Sequence, residues 1–199
     1  MVGNDIVDLQ LAKKESNWRR PRFLAKLFTE TEQHFLATAQ DKELAVWLLW
    51  SQKESAYKIV ARMEKRRFYA PKRLVTSTVQ QNLTTSLLPR EGQVAFEKYT
   101  FFTKSKVTDT YIHTIAQLDG HQPLVADSFQ LAQRGYHHQR KSTRQKLLER
   151  YAQKKGWSIN DLRIQKDEWK VPHLYHKNQR QTVQISMAHH GYFGGYVLC

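Results

Sequence analysis

Two carboxylates lie among apolar residues in this 199-residue sequence. Asp5 belongs to a segment predicted as a short strand, and strict alternation puts its side chain on the same face as Val7. Glu54 belongs to a predicted helix that is apolar on almost every side, which is typical of a buried helix. An unsatisfied polar group costs roughly 2–7 kcal/mol on burial. Two such acids facing one interior predict a cation site suited to Mg²⁺, which takes one or two protein carboxylates and completes its shell with water and phosphate.

A simpler interpretation exists for each acid. Glu54 and Lys58 have the spacing of an ordinary helix salt bridge, worth about 0.2–0.5 kcal/mol. Asp5 lies close to the chain terminus, where a solvated position is equally compatible with the sequence. Neither acid is specific by itself, and the flanking sequence has to decide between the interpretations.

The elements that would position these acids follow from local patterns. Residues 2–9 predict a strand, and residues 42–63 predict a long helix because they contain no Gly or Pro and are rich in Ala, Leu and Trp. Thr29 and Glu32 have capping-box spacing and predict the start of a preceding helix.

The rest of the chain alternates β-rich runs with one basic helix. Residues 93–118 predict a β-hairpin with a polar turn at 105–109, and residues 141–155 predict a helix that ends at Gly156. Residues 76–92 are rich in Thr, Gln, Asn and Ser and predict a flexible loop. No repeat is evident, so a single α+β domain is expected over residues 1–199, with an insertion at roughly 76–140 that contains the hairpin.

The charge of the chain predicts an anionic partner. Lys and Arg number 32 and Asp and Glu 18, a formal net charge of +14, which favours nucleic acid, a phosphorylated small molecule or an acidic protein. No apolar run approaches the roughly 20 residues of a membrane span. The N-terminal sequence lacks the pattern of a secretory signal. The only cysteine, Cys199, permits no internal disulfide, and a cytoplasmic location is expected.

Four segments resemble signatures of the 4′-phosphopantetheinyl transferase superfamily. Residues 3–9, Gly-Asn-Asp-Ile-Val-Asp-Leu, are similar to its opening Gly-x-Asp-Ile strand, and residues 28–32 match its Phe-(Ser/Thr)-x-x-Glu helix start. Residues 50–58, Trp-Ser-Gln-Lys-Glu-Ser-Ala-Tyr-Lys, match its Trp-(Ser/Ala)-x-Lys-Glu-(Ala/Ser)-x-x-Lys signature. Residues 183–189 resemble its terminal strand ending in His. Their order resembles that of the short holo-acyl-carrier-protein synthase type.

This resemblance implies a reaction and roles for its residues. Phosphopantetheine would pass from coenzyme A to a serine of an acidic acyl or peptidyl carrier protein, and adenosine 3′,5′-bisphosphate would leave. Asp5 and Glu54 would hold Mg²⁺, and Glu54 would accept the serine proton directly or through a metal-bound water. Lys58 would stabilise or protonate the leaving phosphate. His189 would face the phosphates of coenzyme A, or His190 would if the strand register is shifted by one.

One departure from the family pattern shapes the expected phosphate site. The Gly-rich turn that follows the helix in the short type is absent, and a basic run stands in its place. The predicted ligands of the coenzyme A phosphates are therefore Arg62, Arg66 and Arg67, together with Lys53, which matches a position of the family signature. Glu32 matches a family motif, although its capping role explains it without chemistry. Asp8 is out of phase with Asp5 and is expected to face solvent.

The resemblance also bears on fold and assembly. It implies a small antiparallel sheet packed on a long central helix, with the site between two copies of that unit. Because each motif occurs once, a symmetric homo-oligomer is predicted, a trimer by analogy, unless the insertion caps the site within a monomer. A nucleic-acid-binding module is the main alternative function, but it leaves Asp5 and Glu54 unexplained. The intact Asp5, Glu54 and Lys58 argue against an inactive scaffold.

Overall fold

The computed structural model of the chain describes residues 1–68, 70–77, 90–118 and 124–199. Its elements are five α-helices and ten strands in two antiparallel sheets, over these ranges. The helices are α1 (Leu9–Glu15), α2 (Phe23–Leu27), α3 (Glu30–Thr38), α4 (Lys42–Met63) and α5 (Tyr136–Lys155). Residues 78–89, most of the predicted flexible loop, lie outside the described part of the chain. Within the described part, no helix combines the length and apolar character needed to cross a bilayer.

The first sheet has the strand order β1-β5-β4-β3-β2. Its strands are β1 (Val2–Asp8), β2 (Val75–Thr76), β3 (Arg90–Phe96), β4 (Tyr99–Val107) and β5 (Tyr111–Gln117). The predicted hairpin corresponds to β4 and β5. The expectation that it is an insertion outside the main sheet is wrong, because β5 pairs with β1 along its whole length, from Val2 opposite Gln117 to Asp8 opposite Tyr111. The hairpin is therefore the middle of this sheet.

The second sheet repeats the topology of the first. Its strands are β6 (Val125–Gln130), β7 (Leu162–Lys166), β8 (Pro172–His176), β9 (Gln179–His190) and β10 (Phe193–Leu198), in the order β6-β10-β9-β8-β7. In each half, a first strand precedes the long helix, and four strands follow it and return to pair beside the first. The oligomer prediction assumes one such unit per chain, whereas the chain contains two, so that reason for an oligomer no longer applies.

Helix α4 matches the predicted range and is buried along most of its length. Its first half packs against α1, α2 and α3 in one apolar cluster, and its second half packs on the first sheet in another. Strand β1 approaches α4 so closely that a Cβ at Gly3 would lie 2.1 Å from the carbonyl oxygen of Ser55. Glycine at position 3 thus permits the contact that sets Asp5 against the helix.

Helix α5 packs with one side on a face of the second sheet, and its own opposite side is exposed to solvent. It begins at Tyr136, five residues before the predicted start, and ends at Gly156, whose left-handed φ of 68° suits glycine. Buried positions are limited to Thr143, Leu147, Tyr151 and Ala152. The prediction of its C-terminus is confirmed.

Strand β1 joins the two halves, with α4 on one face and β9 on the other. The Asn4 backbone N–H donates to Ser186 Oγ at 3.1 Å, and the Asp8 N–H donates to Nδ1 of His190 at 2.9 Å. The Asp8 carboxylate caps α1 and accepts from the N–H of Tyr192 at 3.0 Å. The prediction that Asp8 faces solvent is wrong, because Asp8 is only 3% exposed. Its carboxylate satisfies backbone donors from both halves.

Candidate active site

The carboxylates of Asp5 and Glu54 come together where β1 crosses α4. Both residues line the same cavity, and the Asp5 side chain is 15% exposed. Burial raises the pKa of Asp5, and the nearby Lys58 ammonium opposes that rise. Burial, reinforced by the charge of Asp5, raises the pKa of Glu54 to about 7. Two desolvated carboxylates that repel each other form a site that would be stabilised by added positive charge.

Lys58 links the helix to the strand beside this pair. Its Nζ donates to the Asn4 carbonyl oxygen at 2.5 Å and lies 3.6 Å from Oδ1 of Asp5. Lys58 thus forms its close ion pair with Asp5 and joins α4 to β1. It does not form the salt bridge to Glu54 within the helix that the spacing allows. The side chain also lines a large cavity on the far side of Glu54, so its ammonium is available to a ligand bound there.

That large cavity, of about 590 Å³, lies between the halves and is walled by cations; we call it the cationic cavity. Its charged lining residues are Glu54, Lys58, Arg62, Arg67, Arg140, Arg144, Lys166, Asp167 and Lys170, and His189 also lines it. Burial lowers the pKa of Lys166, and the neighbouring Arg140, Arg67, Arg144 and Lys170 lower it further. Cations crowded together in this way indicate a site for a multiply charged anion.

The two adjacent histidines at the end of β9 have different surroundings. His189 lines the cationic cavity as well as the cavity that contains Asp5. Burial, with Lys58 next in importance, lowers the pKa of His189, so its ring is neutral near pH 7. Of these two cavities, His190 lines only the one that contains Asp5. Because its Nδ1 accepts from the Asp8 N–H, a neutral His190 carries its proton on Nε2.

The predicted phosphate ligands from the basic run separate into two groups. Arg62 and Arg67 line the cationic cavity. Arg62 also donates to the carbonyl oxygen of Ile185 at 2.8 Å and so ties α4 to β9. Arg66 does not line this cavity; its side chain is 59% exposed and lies 3.5 Å from Glu64. Its predicted phosphate contact is not supported.

Lys53 and Glu32 form an ion pair that is buried in the core. Each side chain is 1% exposed, and Lys53 Nζ donates to Glu32 Oε2 at 2.6 Å. The same ammonium donates to the carbonyl oxygens of Leu27 and Pro71, which uses all three of its protons. A phosphate contact for Lys53 is therefore not supported. The capping box of Glu32 with Thr29 is confirmed.

Sequence reasoning missed the cations of the second half. Arg140 and Arg144 lie four residues apart on α5 and share one face, a spacing that the sequence displays. Lys166 and Lys170 flank the turn after β7, where no pattern distinguishes them from ordinary surface lysines. These residues become recognisable only when the second half is placed against Glu54.

A cavity between two related halves, with Glu54 and many cations in its wall and Asp5 in the adjoining cavity, is suited to a phosphorylated ligand. The family model of the 4′-phosphopantetheinyl transferase superfamily matches residues 1–116, more than half of the chain. The chain belongs to this superfamily, whose members act on coenzyme A and carrier proteins, and phosphopantetheine transfer is the general class of reaction. No curated protein matches the chain.

Proposed function

We propose that this protein transfers 4′-phosphopantetheine from coenzyme A to a serine of an acidic apo carrier protein, with Mg²⁺, and releases adenosine 3′,5′-bisphosphate. The observation that carries the proposal is the position of Glu54 and His189, which line both the cationic cavity and the cavity that contains Asp5. A diphosphate at this junction would have cations on one side and carboxylates on the other.

Asp5 and Glu54 would hold the Mg²⁺. Their raised pKa values reflect burial that the nearby Lys58 only partly offsets, and carboxylate oxygens are ligands that Mg²⁺ prefers. No group of three or more His, Cys, Asp or Glu suited to a metal occurs in the described residues, so water and substrate oxygens would supply the other ligands. The bound ion would neutralise charge on the diphosphate as the anhydride breaks.

The transfer exchanges one P–O bond for another. The serine Oγ bonds to the phosphorus that carries the pantetheine, and the anhydride bond breaks with its electron pair on the leaving oxygen. Glu54 takes the serine proton, directly or through a metal-bound water. Lys58, on the cationic side, stabilises the charge that develops on the departing phosphate.

The cationic cavity would hold the two phosphates of the departing adenosine 3′,5′-bisphosphate. Arg67, Arg140 and Lys166 provide charge from both halves of the chain, and a neutral His189 can donate one hydrogen bond. We assign Lys53 and Glu32 to the core, because their charges satisfy each other. Steering of an acidic carrier protein by the net charge of +14 would raise the encounter rate.

The direct test is to incubate an apo carrier protein with coenzyme A, Mg²⁺ and this protein, and to record the intact mass of the carrier. We expect the mass gain of one phosphopantetheine. Glu54→Gln should lower the rate at least ~10³-fold while the circular dichroism spectrum is unchanged, because the proton acceptor and a metal ligand are lost. Glu64→Gln, at the exposed end of α4, is the matched control.

Chelation of divalent metal should stop the transfer, and added Mg²⁺ should restore it. Rapid transfer by the Glu54→Gln variant would refute the role of Glu54, and indifference to the chelator would refute the metal. Tight, salt-sensitive binding to duplex nucleic acid without modification of any carrier protein would instead favour the nucleic-acid-binding alternative.

A further inference from the structure

The end of β1 meets the turn between β9 and β10 inside the protein. Asp8, the last residue of β1, is buried, and each of its carboxylate oxygens accepts a backbone N–H. Oδ1 accepts from Leu11 of α1 at 3.0 Å, and Oδ2 accepts from Tyr192 of the turn at 3.0 Å. The first bond lies within the first half, whereas the second joins the two halves. We call the second bond the Asp8–Tyr192 contact.

The two segments fit so closely that the turn has no room for a side chain at Gly191. A Cβ there would lie 2.1 Å from Oδ2 of Asp8, and the φ of 57° is in the left-handed region that suits glycine. On α5, Nε2 of Gln139 donates to the Gly191 carbonyl oxygen at 2.7 Å. The turn is thus held by Asp8 from the first half and by Gln139 from the second.

This turn directly follows the two histidines at the end of β9. Nδ1 of His190 accepts from the Asp8 N–H at 2.9 Å, so Asp8 contacts both ends of the segment 190–192. His189 precedes that segment and lines both cavities, and Asp5 lies three residues before Asp8 on β1. Asp8 therefore connects the strand that carries Asp5 to the strand end that carries His189.

The position of Asp8 requires two acceptor atoms on one short side chain. A carboxylate offers only acceptors, whereas the amide of Asn has one acceptor oxygen and an NH₂ group that donates. Asn would still cap α1, because Asn and Asp are about equally good N-caps. Its NH₂ group would then face the N–H of Tyr192. Asp8→Asn should therefore break the Asp8–Tyr192 contact and keep the cap.

We propose that Asp8 is a positioning residue, whose contact with Tyr192 holds the end of β9, and with it His189, in place against Asp5 and Glu54. This inference rests on the proposed function, because it takes His189 as a group that contacts the phosphates of coenzyme A. Asp8 lines neither of the two cavities and acts through the histidine. A misplacement of about 1 Å at a reacting centre can cost ~10²-fold in rate.

The first test compares the kinetics of Asp8→Asn with those of Asp41→Asn. Asp41 is the matched control, because it caps α4 by accepting from the Leu44 N–H at 2.9 Å but is exposed and lines neither cavity. We expect Asp8→Asn to lower kcat ~10²-fold and to change the KM for coenzyme A by less than ~3-fold, because the cations of the cationic cavity stay in place. Asp41→Asn should change neither constant.

A double-mutant cycle with His189→Ala separates positioning from a general loss of structure. If Asp8 acts through His189, adding Asp8→Asn to His189→Ala should lower kcat by less than ~3-fold more. Two independent losses would multiply instead, and that result would overturn the proposal. A wild-type kcat in Asp8→Asn, or an equal loss in Asp41→Asn, would also overturn it.

A spectroscopic test needs no transfer. The ring signals of His189 and His190 should move in Asp8→Asn and stay in place in Asp41→Asn. In the wild type, adenosine 3′,5′-bisphosphate with Mg²⁺ should slow hydrogen exchange of the Tyr192 amide ~3-fold, because a ligand that binds the positioned histidine stabilises the contact that positions it. The Leu44 amide should be unaffected.

The wild-type exchange measurement decides the question if Asp8→Asn is too unstable for kinetics. Unmoved histidine signals in a folded Asp8→Asn, or an unchanged exchange rate of Tyr192 in a wild type saturated with the bisphosphate, would overturn the proposal. A wild type that shows the expected signals and exchange but modifies no carrier protein would refute the proposed function and leave the positioning role of Asp8 supported.

Discussion

The two halves of the chain share one topology and differ in what they contribute to the cleft. The first half supplies Asp5 and Glu54, from a strand and a helix that are largely buried. The second half supplies His189 and most of the cationic wall, from a strand end, a turn and an exposed helix. A repeated unit can therefore divide one chemistry, with carboxylates on one copy and phosphate recognition on the other.

The difference follows from how each long helix is covered. Helix α4 lies between the first sheet and α1–α3, so polar groups on it must find partners inside the protein. Helix α5 has one face on its sheet, and its remaining surface can carry many cations at little cost. The predictions below test this contrast.

Removal of a lysine should lower the free energy of unfolding strongly on α4 and hardly at all on α5. Lys53→Met on α4 leaves the Glu32 carboxylate buried without its counter-charge, and we expect a loss of ~3 kcal/mol in the free energy of unfolding. Lys154→Met on the exposed surface of α5 should change it by less than about 0.5 kcal/mol. Urea denaturation measures both values. Similar small losses for the two variants would show that the buried pair does not distinguish the halves.

Acid should weaken the contact between the halves through His113. Its ring approaches Gly195 of β10, its Nε2 lies 3.1 Å from Nδ2 of Asn4, and burial lowers its pKa to about 3. The unfolded chain takes up a proton below the ordinary pKa of 6.5, whereas the folded protein does not. The stabilisation is therefore complete above pH 6.5 and is lost as the pH falls towards 3, with a loss of ~2 kcal/mol by pH 5.

The matched measurement is urea denaturation at pH 8 and pH 5. His113→Gln cannot titrate at this position, so the difference in stability between the two pH values should shrink by about 2 kcal/mol relative to the wild type. All other titrating groups are common to both proteins. An identical pH dependence in the two proteins would contradict a buried neutral His113.

Replacing a single cation of the cationic cavity should raise the KM for coenzyme A, whereas replacing an equally basic residue elsewhere should leave this KM unchanged. Arg140→Gln should raise the KM for coenzyme A ~10-fold, the value of about one charge-assisted hydrogen bond. Arg150→Gln, on the same helix but outside the cavity, is the control. In the first half, Arg67→Gln should raise this KM and Arg66→Gln should not. Equal effects from Arg66 and Arg67 would contradict the assignment of the phosphate site.

Several features of the chain could be predicted because they depend on neighbouring residues. Alternation along β1 assigned Asp5 to an interior face, and the absence of Gly and Pro defined α4. The capping box at Thr29 and the end of α5 at Gly156 follow from backbone donors and φ values within a single turn.

Other predictions failed because a distant partner changed the environment. Asp8 has the phase of a solvent-facing residue, but the second half covers it and donates to it from Tyr192. Lys53 lies in a catalytic signature, yet Glu32 and two carbonyl oxygens surround its ammonium. The repeat of the first topology in the second sheet was missed, because the pairing of β6 with β10 joins segments far apart in the chain.

The amino-acid sequence alone determined the helices α3, α4 and α5, the strand that carries Asp5, the two acids and the family to which they point, since these depend on local periodicity and on motif spacing. The tertiary structure alone decided which cations face Glu54, which lysine is buried in an ion pair, and that both copies of the unit occur in one chain. The physical reason is that charge and desolvation act through space. The environment of a side chain is set by the elements packed around it, and these come from both ends of the chain.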